Sequence, residues 1–406
     1  MSIYLDHSAT TPLDSQVFKK MQPYLTDVFG NASSAHSFGQ EAIKGIDWAR
    51  EQLSELFGCK FKEIIFTSGA TESNNLVIQG VLKAFRDNKE KKYHIITSQI
   101  EHPAILEPCQ ELAKQGLIDV TCVGVNKKGL VSVEDIKKAI KDNTILISIM
   151  YVNNEIGTIQ PIRDIGKMVE KVNKQRAKEN NKLTAFDKLY FHTDAVQAVN
   201  YCKMNAPYLH ADMITISGHK IYGPKGVGAM YVREGTPIKS VSWGGHQEYN
   251  IRPGTYNVAG IVGLGAAVEL INDQESNEKT NQHIKKLRDK LIKGLEKAIP
   301  NIQVNGDLEN RVPANANISF KNAEGESMLL MLDMEGVAVS TGSACASGSL
   351  EPSHVLRAMG ISAEVCHASL RFTLGKETTV NEIDKVIKIL PTIVQRLRKM
   401  SPIKNK

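Results

Sequence analysis

The chain has 406 residues, 42% hydrophobic and 23% charged, a globular composition with room for two or three domains that excludes a disordered, collagen-like or disulfide-stapled chain. Its net charge of +6 arises from 50 basic residues interspersed with 44 acidic ones, which reads as solvated surface and not as the basic stripe of a nucleic-acid binder. No apolar run reaches the roughly 20 residues of a membrane span, and the N-terminus MSIYLDHSATTPLD lacks the basic and apolar regions of a signal peptide, so the expectation is a cytoplasmic protein that binds neither membrane nor nucleic acid directly.

From the N-terminus, a helical pattern over 40–56 precedes an apolar run, Ile64–Phe66, and a Thr67-Ser68-Gly69-Ala70-Thr71-Glu72-Ser73 turn that opens a second helical pattern over 72–85. The next run, His94–Thr97, ends in Glu101-His102-Pro103 and a helix over 104–114. A helix over 133–141 leads to the run Thr144–Val152, which ends in Asn153-Asn154-Glu155. The helix over 162–174 continues into a charged stretch, 174–188, read as an exposed loop or a helix extension. The run Leu189–His192 is followed by Asp194 and Gln197, and Met213–Ile216 by Ser217-Gly218-His219-Lys220; Gly228–Val232 closes the series. These runs are β-branched without in/out alternation, as in strands buried on both faces. Alternation with helices predicts an α/β fold with a mostly parallel central sheet and right-handed crossovers. After residue 259 come a helix to 271, a polar stretch over 272–285, a helix to 298, short strands over 315–320, 337–340 and 368–373, and a terminal helix over 380–399. That α+β texture suggests a smaller second domain. The division expected is 15–259 for a large domain, and 1–14 with 260–406 for a small one.

Five strand ends deliver polar residues to one rim, where an open parallel sheet binds its ligand. The Ser68–Ser73 turn at a helix start suits a phosphate through its free backbone N–H groups, although ordinary capping by Thr71 or Ser73 explains most such turns. Lys220, boxed by glycine turns after a buried strand, suits a Schiff base if desolvation lowers its pKa, with Ser217 and His219 as phosphate donors; all three could instead face solvent. Asp194 could hold a pyridine nitrogen protonated, with Gln197 at helical spacing beside it, or simply cap a helix. His102 could stack on a ring or carry protons, though a lone histidine is more often structural. Of six cysteines, Cys59, Cys109, Cys122, Cys202, Cys345 and Cys366, none forms a CxxC pair, so neither a zinc site nor a disulfide framework is indicated and no metal is expected. Cys345 alone lies in a tract of small residues, 340–349, that suits a thiol that must move. Arg371, in a strand-like run, needs an anion: a substrate carboxylate, or an internal acid.

Taken in order, these residues resemble a family. Ser217-Gly218-His219-Lys220-Ile221-Tyr222-Gly223-Pro224-Lys225-Gly226 is similar to the pyridoxal-phosphate lysine motif of cysteine desulfurases. Gly342-Ser343-Ala344-Cys345-Ala346-Ser347-Gly348-Ser349 with Leu350-Glu351-Pro352-Ser353-His354 resembles the catalytic-cysteine loop of their class I branch, and its Ala346-Ser347-Gly348 form resembles the nitrogen-fixation-type subgroup. The segments 4–12, 30–36, 70–73, 101–102, 152–157, 194–197 and 252–255 match in the same order. The resemblance implies a fold-type I homodimer of the pyridoxal-phosphate-dependent transferases. It assigns the phosphate to Ala70, Thr71, Ser217 and His219, and Thr255 to the phosphate of the neighbouring subunit. Asn154 and Gln197 would contact the ring hydroxyl, Asp194 the ring nitrogen, and His102 the ring face. Lys220 would form the Schiff base, Arg371 with Asn31 would hold the substrate carboxylate, and Cys345 would accept sulfur. The implied reaction turns L-cysteine into L-alanine and passes a persulfide to a sulfur-acceptor protein, such as an iron–sulfur scaffold or a tRNA-thiolation protein. A selenocysteine lyase shares most of these motifs and is the alternative. A transaminase of the same fold would not need the thiol, and a non-catalytic scaffold would not need Lys220.

Overall fold

The computed structural model describes residues 2–88, 91–179, 183–341 and 351–400. Its strands are β1 (Ile3–Tyr4), β2 (Ile64–Thr67), β3 (Tyr93–Ser98), β4 (Ile118–Val123), β5 (Thr144–Ser148), β6 (Tyr190–Asp194), β7 (Met213–Ser217), β8 (Gly228–Val232), β9 (Ile302–Asn305), β10 (Asn315–Phe320), β11 (Val337–Ala338), β12 (Ser340–Thr341) and β13 (Ser369–Thr373). Seven of them form one sheet in the order β2-β8-β7-β6-β5-β3-β4. Only β8 runs against its neighbours in that sheet; it pairs antiparallel with both β2 and β7. All the predicted strands of this sheet are present, and every residue of β2, β3, β5, β6, β7 and β8 is buried, as strands covered on both faces must be. The strand of this sheet that the sequence does not announce is β4, at the edge, where the middle residues are half-buried or exposed and no continuous apolar run exists; in the other sheets it announces neither β1 nor β9.

Helix 162–179 absorbs the first part of the charged 174–188 stretch, the helix-extension reading. The helix Val258–Asn272, which the change of texture near residue 260 would assign to the second domain, packs in the first core against the helix Ser37–Phe57. A Cβ on Gly265 would stand 2.6 Å from that of Ala49, so the glycine is what lets the two helices approach. Its middle, residues 259–268, is apolar or glycine throughout and wholly buried, while Glu269 near its end reaches solvent. A second core forms around Leu287, Leu291, Ile318, Phe320, Phe372 and Leu390. It carries the antiparallel sheet β12-β13-β10-β9. The N-terminus joins this body: β1 pairs parallel with β11, and Leu5 is buried in the second core. Among the described residues no helix is long and apolar enough to cross a membrane.

Candidate active site

At the carboxyl ends of the sheet lies a cavity of about 560 Å³, and the five strand ends read from the sequence all reach it, with Thr71, His102, Asn154, Asp194 and Lys220 in its wall. The N-terminal Ser8–Thr10 and Arg371 of β13 close it from the small body. A larger cavity of about 1040 Å³, beside the helix Gln274–Ala298, contains none of the predicted residues.

After β2 the chain turns at Gly69, whose φ of +154° a side chain would strain. Helix Ala70–Asn88 starts there, and its first intrahelical bond is from Ser73 N–H to the Gly69 carbonyl. The amides of Ala70 and Thr71 therefore have no acceptor within the helix and sit in the cavity wall at its positive end. Glu72 braces the turn: it accepts from Ser68 N–H at 2.5 Å and pairs with Arg252 at 2.9 Å. Across the turn stands Ser217, buried at the end of β7.

Lys220 ends the short 3₁₀ turn Gly218–Lys220 that follows β7. Its Nζ donates to the carbonyls of Ser8 at 2.5 Å and Ala9 at 2.7 Å. Beside it, His219 Nδ1 meets Thr10 Oγ1 at 3.2 Å. Burial, with Lys220 and Lys225 adding to it, pushes the His219 pKa down to about 4, so this imidazole is neutral at working pH.

Asp194 is the last residue of β6 and is buried. The chain continues as a turn and not a helix, so Asp194 and Gln197 are not held at helical spacing. Asp194 Oδ1 accepts from Val196 N–H at 3.0 Å, and Oδ2 accepts from Asn74 Nδ2 at 2.7 Å. Asn74 is a residue the sequence reading missed, although a signal existed. It is a polar side chain on the buried stripe of its helix that carries Val77, Val81 and Phe85, where an apolar residue belongs. Gln197 Nε2 donates to the Ser8 carbonyl at 3.0 Å.

His102 caps the helix Pro103–Lys114, its Nδ1 accepting from Ala104 N–H at 3.1 Å. Burial lowers its pKa; Lys220 and His354 act the same way and Asp194 opposes them. A neutral ring whose Nδ1 accepts carries its proton on Nε2. Arg371 is fully buried. Its Nη2 pairs with Asp6 at 2.8 Å and its Nη1 donates to the Asn154 carbonyl at 3.2 Å, while its Nε has no partner among the described residues. The internal acid weighed for Arg371 is thus real, and the guanidinium still lines the cavity.

Two predicted residues stand apart. Asn31 is exposed and its side chain accepts from Ser33 N–H at 2.9 Å. Thr255 is exposed as well. Neither lines the cavity. Cys345 lies outside the described residues.

An amine, a buried carboxylate, a neutral imidazole and a phosphate-type helix start thus share one strand-end site of an open α/β sheet. Residues 3–386 match the family model of the class-V aminotransferases, and the chain belongs to that family. It is 49% identical to the cysteine desulfurase IscS of Dictyoglomus turgidum over 402 residues, 99% of this chain and 97% of that protein. A solved NifS-like protein superposes with a TM-score of 0.87 at 36% identity, over 98% of this chain and all of the other. SspA in complex with cysteine does so with a TM-score of 0.77 at 36% identity, over 93% and 100%. The family's cofactor is pyridoxal phosphate, and the residues present fit it. Two amides with no acceptor within their helix and Ser217 answer a phosphate, Asp194 a ring nitrogen, and Lys220 an aldehyde carbon, all around one cavity.

Proposed function

We propose that this protein is a cysteine desulfurase that takes sulfur from L-cysteine, leaves L-alanine, and passes the sulfur on as a persulfide of Cys345. The observation that carries this reading is the convergence of Lys220, Asp194, His102 and Arg371, from four distant parts of the chain, on one cavity. The cysteine bound by a solved relative supports the substrate.

Lys220 would hold the cofactor, Ala70, Thr71, Ser217 and His219 its phosphate, Asp194 its ring nitrogen, and Asn154 and Gln197 its hydroxyl. Bound there, pyridoxal phosphate supplies an electron sink conjugated to the substrate Cα. Arg371 would bind the substrate carboxylate and fix which bond of the amino acid faces the ring; Asn31, outside the cavity, has no role in this reading. The Asn74–Asp194 bond keeps the carboxylate aimed. His102, neutral and with its proton on Nε2, can stack without adding a positive charge and can move a proton at that atom. Lys220 would serve as a base for the proton on the substrate Cα. Cys345 Sγ bonds to the substrate sulfur; the substrate Cβ–S bond breaks, and its electron pair takes a proton as the methyl group of alanine. The sulfur then goes to an acceptor protein, an iron–sulfur scaffold or a tRNA-thiolation protein, in the cytoplasm. Exposed Phe29 and Trp243, 72% and 90% accessible, support a homodimer in which Thr255 serves the partner's phosphate.

The test is to supply the purified protein with pyridoxal phosphate, L-cysteine and a reductant and to measure alanine and sulfide together. Equal amounts are expected, and Cys345→Ala should bind the cofactor, with its absorbance, yet release no sulfide. Undiminished sulfide from that variant refutes the role of the thiol. L-selenocysteine turnover that survives Cys345→Ala, without L-cysteine turnover, would make the protein a selenocysteine lyase instead.

A further inference from the structure

Residues 355–359, most of the first helix after Cys345 among the described residues and its C-cap, lie outside the second core. Val355, Leu356 and Met359 bury themselves against Ile100, Met150 and Ile156, which flank the cavity residues His102 and Asn154. Two polar contacts join the same surfaces. Ser353, buried, caps the helix His354–Ala358 by accepting from Leu356 N–H at 3.1 Å, and its hydroxyl donates to Glu155 Oε2 at 2.5 Å. His354 Nε2 meets the Glu101 carbonyl at 2.9 Å; that carbonyl is an acceptor, so Nε2 carries the proton. Glu155 is itself fixed, because its carbonyl accepts from the amides of Asn315 and Asn317 of β10, each at 3.1 Å.

Burial raises the Glu155 pKa to about 7, and a carboxyl so buried is costly unless it is hydrogen-bonded, as it is here by the Ser353 hydroxyl. Glu155 and Glu101 each adjoin a cavity residue, Asn154 and His102. Ser353 lies eight residues after Cys345, so the chain between them spans at most roughly 28 Å. We propose that the Glu155–Ser353 and Glu101–His354 contacts are an anchor that positions the cysteine segment relative to the cofactor cavity, with Glu155, Ser353 and His354 as positioning residues for sulfur transfer. This rests on the desulfurase reading above. The anchor acts on the thiol and not on the substrate, so losing the Ser353 contact slows the step that needs Cys345 and leaves substrate binding alone; His354 also bears on the His102 ring, so its variant is read beside that of Ser353.

The experiment compares wild type with Ser353→Ala, His354→Ala and Ser353→Thr, all as holoenzymes, by steady-state sulfide release and by the change in cofactor absorbance as L-cysteine is added. Ser353→Ala and His354→Ala should each lower kcat about tenfold, the scale of one lost charge-assisted or buried hydrogen bond. The absorbance midpoint for L-cysteine should stay within about twofold, and Ser353→Thr, which keeps the hydroxyl, should restore most of kcat. Variants that match wild type in kcat, or that lose kcat and the absorbance midpoint together, overturn the anchor. A drop in melting temperature without a change in kcat shows a merely structural contact and also overturns it. Should the wild type release no sulfide, the desulfurase reading falls and the inference with it; a working wild type beside unaffected variants sinks the anchor alone.

Discussion

Glu248→Ala tests how the phosphate turn is held. The Glu248 carboxylate grips Arg50 with both oxygens, at 2.6 and 3.2 Å, and Oε2 also accepts from Phe66 N–H at 2.8 Å. The side chains are 4% and 1% exposed, and Arg50 lies over the Phe66 ring, 4.7 Å from its centre. Removing one partner of a buried pair costs about 3–5 kcal/mol; here Arg50 would be left charged with only the Ile64 carbonyl, to which its Nη1 also donates. The stranded Phe66 amide falls within that range. Replacing both partners by apolar residues (Arg50→Met with Glu248→Leu) leaves no lone charge. The double variant should retain only the ~1–3 kcal/mol of the unsatisfied amide. The assay is equilibrium urea unfolding of wild type, both single variants and the double variant, followed by circular dichroism. A Glu248→Ala cost under about 1 kcal/mol, or a double variant less stable than the sum of the singles predicts, would refute this account of the pair. Phe66 precedes the 67–71 turn, so Glu248→Ala should also weaken cofactor binding.

Asn74→Ala should raise the dissociation constant for pyridoxal phosphate about tenfold by removing a charge-assisted hydrogen bond to Asp194, as measured by absorbance titration of the apoprotein. The lowered pKa of His102 keeps its ring neutral further into acid. The acid limb of kcat/KM attributable to it should fall below its ordinary 6.5, and a pH profile of His102→Gln should lack that limb. Gly157→Ala should destabilise the protein by at least ~1 kcal/mol in thermal unfolding. Its φ is +71°, and the added Cβ would stand 2.6 Å from that of Asn315, across the junction of the two bodies.

Much of the site was legible because strand ends are a local signal. A β-branched run marks a strand buried on both faces, and whatever polar residues follow it must emerge at the sheet's rim. Thr71, His102, Asn154, Asp194 and Lys220 were read that way and meet at one cavity. The edge strand β4 was not legible, since solvent on one side removes the continuous apolar run.

The sequence by itself determined the strands buried on both faces and which residues their ends present, because burial and propensity act over a few neighbouring residues. Only the tertiary structure decided that β8 inserts antiparallel between β2 and β7, and that the helix Val258–Asn272 joins the first core. It alone decided that the carbonyls of Ser8 and Ala9 cap Lys220, that Asn74 steadies Asp194, and that Asp6 shares Arg371. These partners are separated by 120 to 365 residues, and no periodicity records such a pairing: it exists only once packing has closed the loops between them.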